Sequence, residues 1–408
     1  VTRFREIDYM SWAKALPPAR VNLARSGTVA SPPRLLRPPR GSDLTRTPAG
    51  YGWLPLRRAL AARYGVTPDR VLTVSGGASL ANFLACAAAL HGARPGAEVL
   101  LERPAYEPLL RAPQALGARV ARFERRFEDG FGVDLERFVG RLTPRTRLAI
   151  VSNLHNPSGA RIPQATLRGM ARALARVGGV LLVDEVYLEC LMGDRGVSSA
   201  VHAGPNVVAT NSLTKAYGLD GLRAGWLLGP RALIRRAGLI HDLLGVNGVA
   251  PGEHLALAAV RNLGAIRRRS RALLERNRGV VARFLARERR ISAALPPGGS
   301  VLLARLPAGL TGRRFAAHLR RRYATLVVPG EFFEARRCVR ISLGGETAAL
   351  REGLARISRA LDELTRARYR SVASASRRRA APPVSMRVGP WRASSGRATA
   401  RAAASNTS

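Results

Sequence analysis

Lysine is almost missing from this chain of 408 residues: Lys14 and Lys215 stand alone among 67 Lys and Arg. A lysine kept in so arginine-rich a sequence points to chemistry a guanidinium does not do. An amine loses its proton when desolvated and condenses with aldehydes, whereas Arg stays charged. Lys14, in Tyr9-Met10-Ser11-Trp12-Ala13-Lys14, reads as a solvated surface charge. Lys215 lies between an apolar run and a Gly-rich turn and reads as a reactive amine.

Acidic residues are scarce too, 27 in all, which leaves a net charge of +40. Such a balance first raises a phosphate-bearing partner. The arginines, however, run evenly along the chain without zinc-finger spacing, and aromatics at 5% are too thin for base-stacking platforms. Much of the charge therefore reads as compositional, and no specific nucleic-acid partner is expected. Cys86, Cys190 and Cys338 are odd in number, far apart and without ligand spacing. They are expected as small buried apolar residues, with neither disulfide nor metal site. No run of eighteen or more apolar residues occurs, and the first residues show no leader-like apolar stretch. The expectation is a cytoplasmic protein with no membrane partner.

What is present is a hydrophobic content of 46%, enough for a large core. Residues 1–45 read as irregular, broken by Pro17-Pro18, Pro32-Pro33 and Pro38-Pro39, and are expected to join a small domain. Across 46–263, short apolar runs at 71–75, 98–102, 119–123, 147–152, 179–184, 206–212 and 225–229 alternate with helical patterns such as 78–91, 163–177 and 230–244. Continuous apolar strands between amphipathic helices predict an α/β fold, with a mostly parallel seven-stranded sheet in a large domain. Residues 264–366 follow as a connecting helix (264–290), strands at 300–305, 325–328 and 338–343, and helices at 312–322 and 346–366. They predict a smaller α+β domain. The remainder, 367–408, turns to Ser, Ala, Arg and Pro and is expected as a disordered basic tail.

Four features fall at expected strand ends, where α/β sheets place their ligands. Ser75-Gly76-Gly77-Ala78-Ser79 joins a strand to a helix whose first N–H groups attract phosphate. Asn153-Leu154-His155-Asn156-Pro157-Ser158-Gly159 is turn chemistry directly after a strand. Asp184-Glu185-Val186-Tyr187 closes an aliphatic strand with a carboxylate that needs a cationic or N–H partner, or caps a helix. Ser212-Leu213-Thr214-Lys215 precedes Arg223 by one short stretch.

Together these segments resemble the class I/II aminotransferases, pyridoxal-phosphate enzymes of fold type I, over about Asn22 to Leu364. The family's S-x-x-K…R, N-P-x-G and D-x-x-Y signatures match in order. The resemblance implies that Lys215 holds the pyridoxal aldehyde as an imine and acts as base, and that Asp184 pairs with the pyridine nitrogen. It implies that Tyr187 and Asn156 bond the ring 3-oxygen. Ser212, Arg223 and the backbone at Gly77 and Ala78 would hold the phosphate, and Tyr106 would stack on the ring. Arg340, in Val339-Arg340-Ile341-Ser342, would fork onto the substrate α-carboxylate near Asn156 and Gly27. His155 reads as structural.

One position departs from the family. The tyrosine expected to reach the partner subunit's phosphate is Thr47 here, with Tyr51 displaced. Leu23, Trp53 and Val246-Asn247-Gly248-Val249 are further expected contacts for a substrate side chain. The implied protein is a homodimeric aminotransferase acting on an amino acid and a 2-oxo acid. A lyase, decarboxylase or cyclase (of the capreomycidine-synthase kind) would use the same residues. A basic nucleic-acid-binding or regulatory protein on a retired enzyme fold is the remaining alternative.

Overall fold

The computed structural model describes residues 4–37, 41, 44–46, 50–191 and 198–379. Along the chain run α1 (Asp8–Ala15), β1 (Val21–Asn22), α2 (Leu54–Tyr64), β2 (Val71–Ser75), α3 (Gly77–Leu90), β3 (Glu98–Arg103), α4 (Glu107–Ala115), β4 (Arg119–Glu124) and α5 (Leu135–Val139). Next come β5 (Thr146–Ser152), α6 (Gln164–Ala175), β6 (Val180–Asp184), β7 (Val207–Ser212), β8 (Ala224–Leu228), α7 (Arg231–His241), α8 (Ala250–Arg261) and α9 (Leu263–Arg287). The last are β9 (Val301–Arg305), α10 (Gly312–Tyr323), β10 (Thr325–Leu326), β11 (Val328–Pro329), β12 (Cys338–Ser342) and α11 (Thr347–Arg379).

Seven strands form one sheet in the order β2-β8-β7-β6-β5-β3-β4, with β8 antiparallel to both neighbours and the other pairs parallel. Every expected strand of this sheet is present within two residues of its expected bounds. The reason is burial on both faces. Leu148 and Ile150 of β5 pack toward α3, α4 and α7, while Ala149 and Val151 pack toward α5 and α6. Each large aliphatic side chain so buried stabilises the fold by roughly 1.5–3 kcal/mol.

Two smaller sheets complete the compact unit Val1–Leu361: antiparallel β11-β12-β9 and the parallel pair β1-β10. The expected strand 325–328 is two strands, one pairing with β1 and one with β12. The apolar run Leu326-Val327-Val328 after Thr325 carries no alternation that would reveal two partners. Residues 1–45 are also less irregular than expected, since they form α1 and β1. We propose that 46–263, which holds the large sheet, is the large domain. In the same proposal 1–45 and 264–366, which supply the smaller sheets, form the small one.

The second unit is Asp362–Ser408. Its described part is the end of α11, which runs to Arg379 and so into the segment expected to be disordered. Ala and Arg are strong helix formers and extend a helix without an apolar stripe. The rest of that expected tail lies outside the described residues, as does Thr47.

Beneath the strand ends lies a charge pair with both side chains fully buried: Arg125 Nη1 donates to Glu102 Oε2 at 2.7 Å. Glu102 Oε1 also accepts the Ser152 N–H at 2.7 Å and its hydroxyl at 2.6 Å, tying β3 to β5. Removing one partner of such a pair strands the other charge away from water. Glu102→Ala is therefore expected to lower stability by about 3–5 kcal/mol, read as an earlier midpoint in denaturant unfolding.

Candidate active site

The carboxyl ends of β5, β6 and β7 open into one cavity, closed by the start of α3, by α1 and by β12. Asp184 ends β6 and is 4% exposed. Its Oδ2 accepts Asn82 Nδ2 at 2.9 Å and its Oδ1 the Val186 N–H at 3.1 Å. Burial pushes the carboxyl up from its ordinary value, while these bonds and the charge of Lys215 pull it back. Both direct partners are neutral donors, so a cationic N–H would be a favourable addition.

Asn82 is a residue the sequence reading missed. It stands inside the largely apolar helix Gly77–Leu90, and its own oxygen is fixed by the Thr210 hydroxyl. A lone amide in such a helix must find partners, and that was its signal.

Lys215 points into the cavity, with Nζ donating to Ser26 Oγ at 2.8 Å. Burial first, then the guanidinium groups of Arg340 and Arg223, lowers its pKa to about 8, against the opposing pull of Asp220 and Asp184. The amine is thus far easier to deprotonate than a solvated lysine.

Arg223 lines the α3 end of the cavity. Its Nη2 donates to Gly76 O at 3.0 Å, and its own carbonyl accepts the Gly77 N–H at 2.7 Å. Gly77 has φ +67°, and a Cβ on Gly225 would meet the Gly77 carbonyl carbon at 2.5 Å, so neither position admits a side chain. Because the Gly77 N–H is taken, the donors left at this helix start are those of Ala78 and Ser79. Ser212 also differs from expectation. It is fully buried, and its hydroxyl pairs with Thr214 Oγ1 at 2.7 Å, so Thr214 is the one that borders the cavity.

Tyr106 and Tyr187 form cavity walls, and burial raises the pKa of both phenols. Arg340, 1% exposed, donates from Nη1 to Asn156 Oδ1 at 3.0 Å and from Nη2 to Tyr9 Oη at 2.9 Å and Ala24 O at 3.2 Å. Its Nε has no partner among the described residues. Tyr9, on α1, was missed because its segment read as irregular. The Tyr9 N–H is anchored on Glu107 Oε2 at 2.8 Å.

Gly27 does not border the cavity; it lies against the backbone of Thr214 and Lys215, and its neighbour Ser26 takes the lining position. Leu23, Trp53 and the loop 246–249 are likewise away from it. Leu23 is core, Trp53 stacks on His254 at 3.9 Å, and Val246 and Val249 face outward. Tyr51 donates to Asp242 Oδ2 at 3.0 Å. His155 is structural, with Nδ1 at 2.6 Å from Ser158 Oγ and Nε2 at 3.0 Å from Pro104 O. Burial, then the charge of Arg125, holds its pKa well below the ordinary value. The cysteines are buried and unpaired.

Known proteins resemble this chain in sequence and in fold. The family model for aminotransferase class I and II matches residues 38–357. Capreomycidine synthase of Streptomyces vinaceus is 33% identical over 316 residues, covering 77% of this chain and 80% of that one. The arginine–pyruvate transaminase AruH of Pseudomonas aeruginosa is 33% identical over 278 residues, 66% and 70% of the two chains. Among solved structures, the PLP-dependent cyclase OrfR superposes with a TM-score of 0.79 at 28% identity, over 88% of this chain and 98% of that one. The chain belongs to the class I and II aminotransferases, enzymes of fold type I that depend on pyridoxal phosphate.

Proposed function

We propose that this protein is an aminotransferase that moves an amino group between an amino acid and a 2-oxo acid. The observation that carries the reading is one cavity holding an easily deprotonated Lys215, a carboxylate at Asp184 with only neutral direct partners, and a buried Arg340 with a free Nε. These groups fit pyridoxal phosphate: Asp184 would face its ring nitrogen, Lys215 its aldehyde, and Arg223 with the α3 start its phosphate. When bound, pyridoxal phosphate supplies an aldehyde that joins to amines and a protonated ring that takes up electrons from the substrate Cα.

The chain's residues do the rest. Asp184 holds a proton on the ring nitrogen, and Asn82 keeps that carboxylate oriented. Lys215 takes a proton from the substrate Cα and delivers it again, a task suited to an amine whose pKa lies near the working pH. Asn156 and Tyr187 would hydrogen-bond the ring oxygen, and Tyr106 would cover the ring face. Arg340 receives the α-carboxylate in a forked, charge-assisted contact. The working form we propose is a cytoplasmic homodimer. Exposed Leu243, Leu244, Val246 and Val249 follow Asp242, the partner of Tyr51, in sequence and offer apolar surface for a second copy. Among the described residues no helix is long and apolar enough to cross a membrane.

A second reading has specific support: the likeness to capreomycidine synthase and to the cyclase OrfR favours cyclisation or elimination on an amino acid. The two readings share the residues above and differ in products. A single turnover of the PLP-loaded protein with a panel of amino acids is expected to release one equivalent of 2-oxo acid, with the amino group kept by the protein. A product retaining its amino group, or a 2-oxo acid released together with free ammonia, would establish the second reading instead. For the amino acid that reacts, Arg340→Lys is expected to raise KM roughly 10- to 100-fold, the scale of charge-assisted hydrogen bonds worth 1.5–3 kcal/mol.

Cofactor-free protein gives a separate check. With its pKa at about 8, Lys215 is protonated and unreactive below that pH and neutral above it. Cyanate modification of the Lys215 peptide, followed by mass spectrometry, is expected to show a midpoint near pH 8. A midpoint near that of a solvated lysine would contradict the site's electrostatics.

A further inference from the structure

Ser26 has no task in the roles above, yet it touches the group on which they turn. It precedes Lys215 by 189 residues, and its Oγ stands 2.8 Å from Nζ. The backbone around it is fastened to the lysine segment. Thr28 N–H donates to Lys215 O at 3.0 Å, and Ser31 donates from its N–H to Gly218 O at 3.0 Å and from its hydroxyl to Tyr217 O at 2.6 Å. Gly27 lets the two chains come this close: a Cβ there would sit 3.1 Å from Thr214 O and 3.3 Å from Lys215 Cα. On its other side, Ser300 Oγ donates to Ser26 O at 2.6 Å.

Held from both sides, Ser26 turns its hydroxyl into the cavity. Tyr187 borders the same cavity; burial raises its phenol first, and Ser26 is among the groups that draw it partly back.

We propose that Ser26 is a further catalytic residue, whose hydroxyl docks the Lys215 amine whenever it is free and fixes where that amine sits. The proposal rests on Lys215 being the reacting amine. A lysine stem loses rotamer entropy on being ordered, and a fixed acceptor for one of its N–H groups selects a single position. Ser26 keeps its own proton throughout and accepts from Nζ. Replacing the nitrogen's acceptor by a methyl group leaves the amine unguided and its charged form less favoured.

The test compares wild type, Ser26→Ala and Ser26→Thr, with Ser26→Cys standing in should the alanine variant fail to fold. Adding pyridoxal phosphate to wild type first shows whether a yellow, borohydride-sensitive species forms. Its absence would sink the functional reading itself, and the docking role with it. With that species present, cyanate modification of the cofactor-free proteins reads the docking directly. In Ser26→Ala the Lys215 midpoint is expected to fall by about 0.5–1 pH unit, because a bond favouring the ammonium is gone. With the amino acid that the panel selects, kcat is expected to fall about tenfold while KM stays within about twofold, the mark of an interaction absent from simple binding. Ser26→Thr should restore both values. An unchanged midpoint, or a change confined to KM, would overturn the proposal.

Discussion

The structure depends on one amine being withdrawn from water beside two guanidinium groups. Desolvation and the charges of Arg340 and Arg223 together favour the neutral form of Lys215. In a chain so rich in arginine that is an unusual use of positive charge: it holds another cation's proton loosely. The arrangement also demands much of the backbone. The β2–α3 junction passes against β8 with glycines at 77 and 225, and the N-terminal segment lies on the lysine's own main chain with glycine at 27.

Around that amine, charged groups are placed by neutral ones. Asn82 orients Asp184 and is oriented in turn by Thr210. Asn156 meets Arg340 through its side chain, while its N–H rests on Ser152 Oγ at 3.0 Å. Ser152 is held by Glu102, and Glu102 by Arg125. A chain of buried contacts thus runs from a fully sequestered ion pair to the guanidinium proposed to take the substrate carboxylate. Low dielectric strengthens each link and makes each unpaired member costly.

The large sheet was legible because strands covered on both faces read as continuous apolar runs. That Asp184, Asn156 and Lys215 meet in one cavity follows from their places at the ends of such runs: Asp184 is the last residue of β6, and Asn156 and Lys215 lie just beyond β5 and β7. Less legible was whatever depends on distant pairing. Tyr9 and Ser26 come from a proline-broken segment whose value appears only once β1 pairs with β10 and the chain folds back on Lys215. Asn82 left a trace, a single amide inside an apolar helix. Ser212 and Gly27 were placed at the site by the family resemblance, yet the cavity is bordered by Thr214, two positions after Ser212, and by Ser26, one before Gly27. A sequence motif names the segment, and only packing says which of its neighbouring residues borders the cavity.

The central claim is that Lys215 carries the cofactor opposite Asp184, and locating the covalent attachment tests it most directly. Borohydride reduction of the protein loaded with pyridoxal phosphate, then proteolysis and mass spectrometry, should find the added mass on the peptide containing Lys215. Its presence on Lys14 instead, or on neither lysine, would contradict the account.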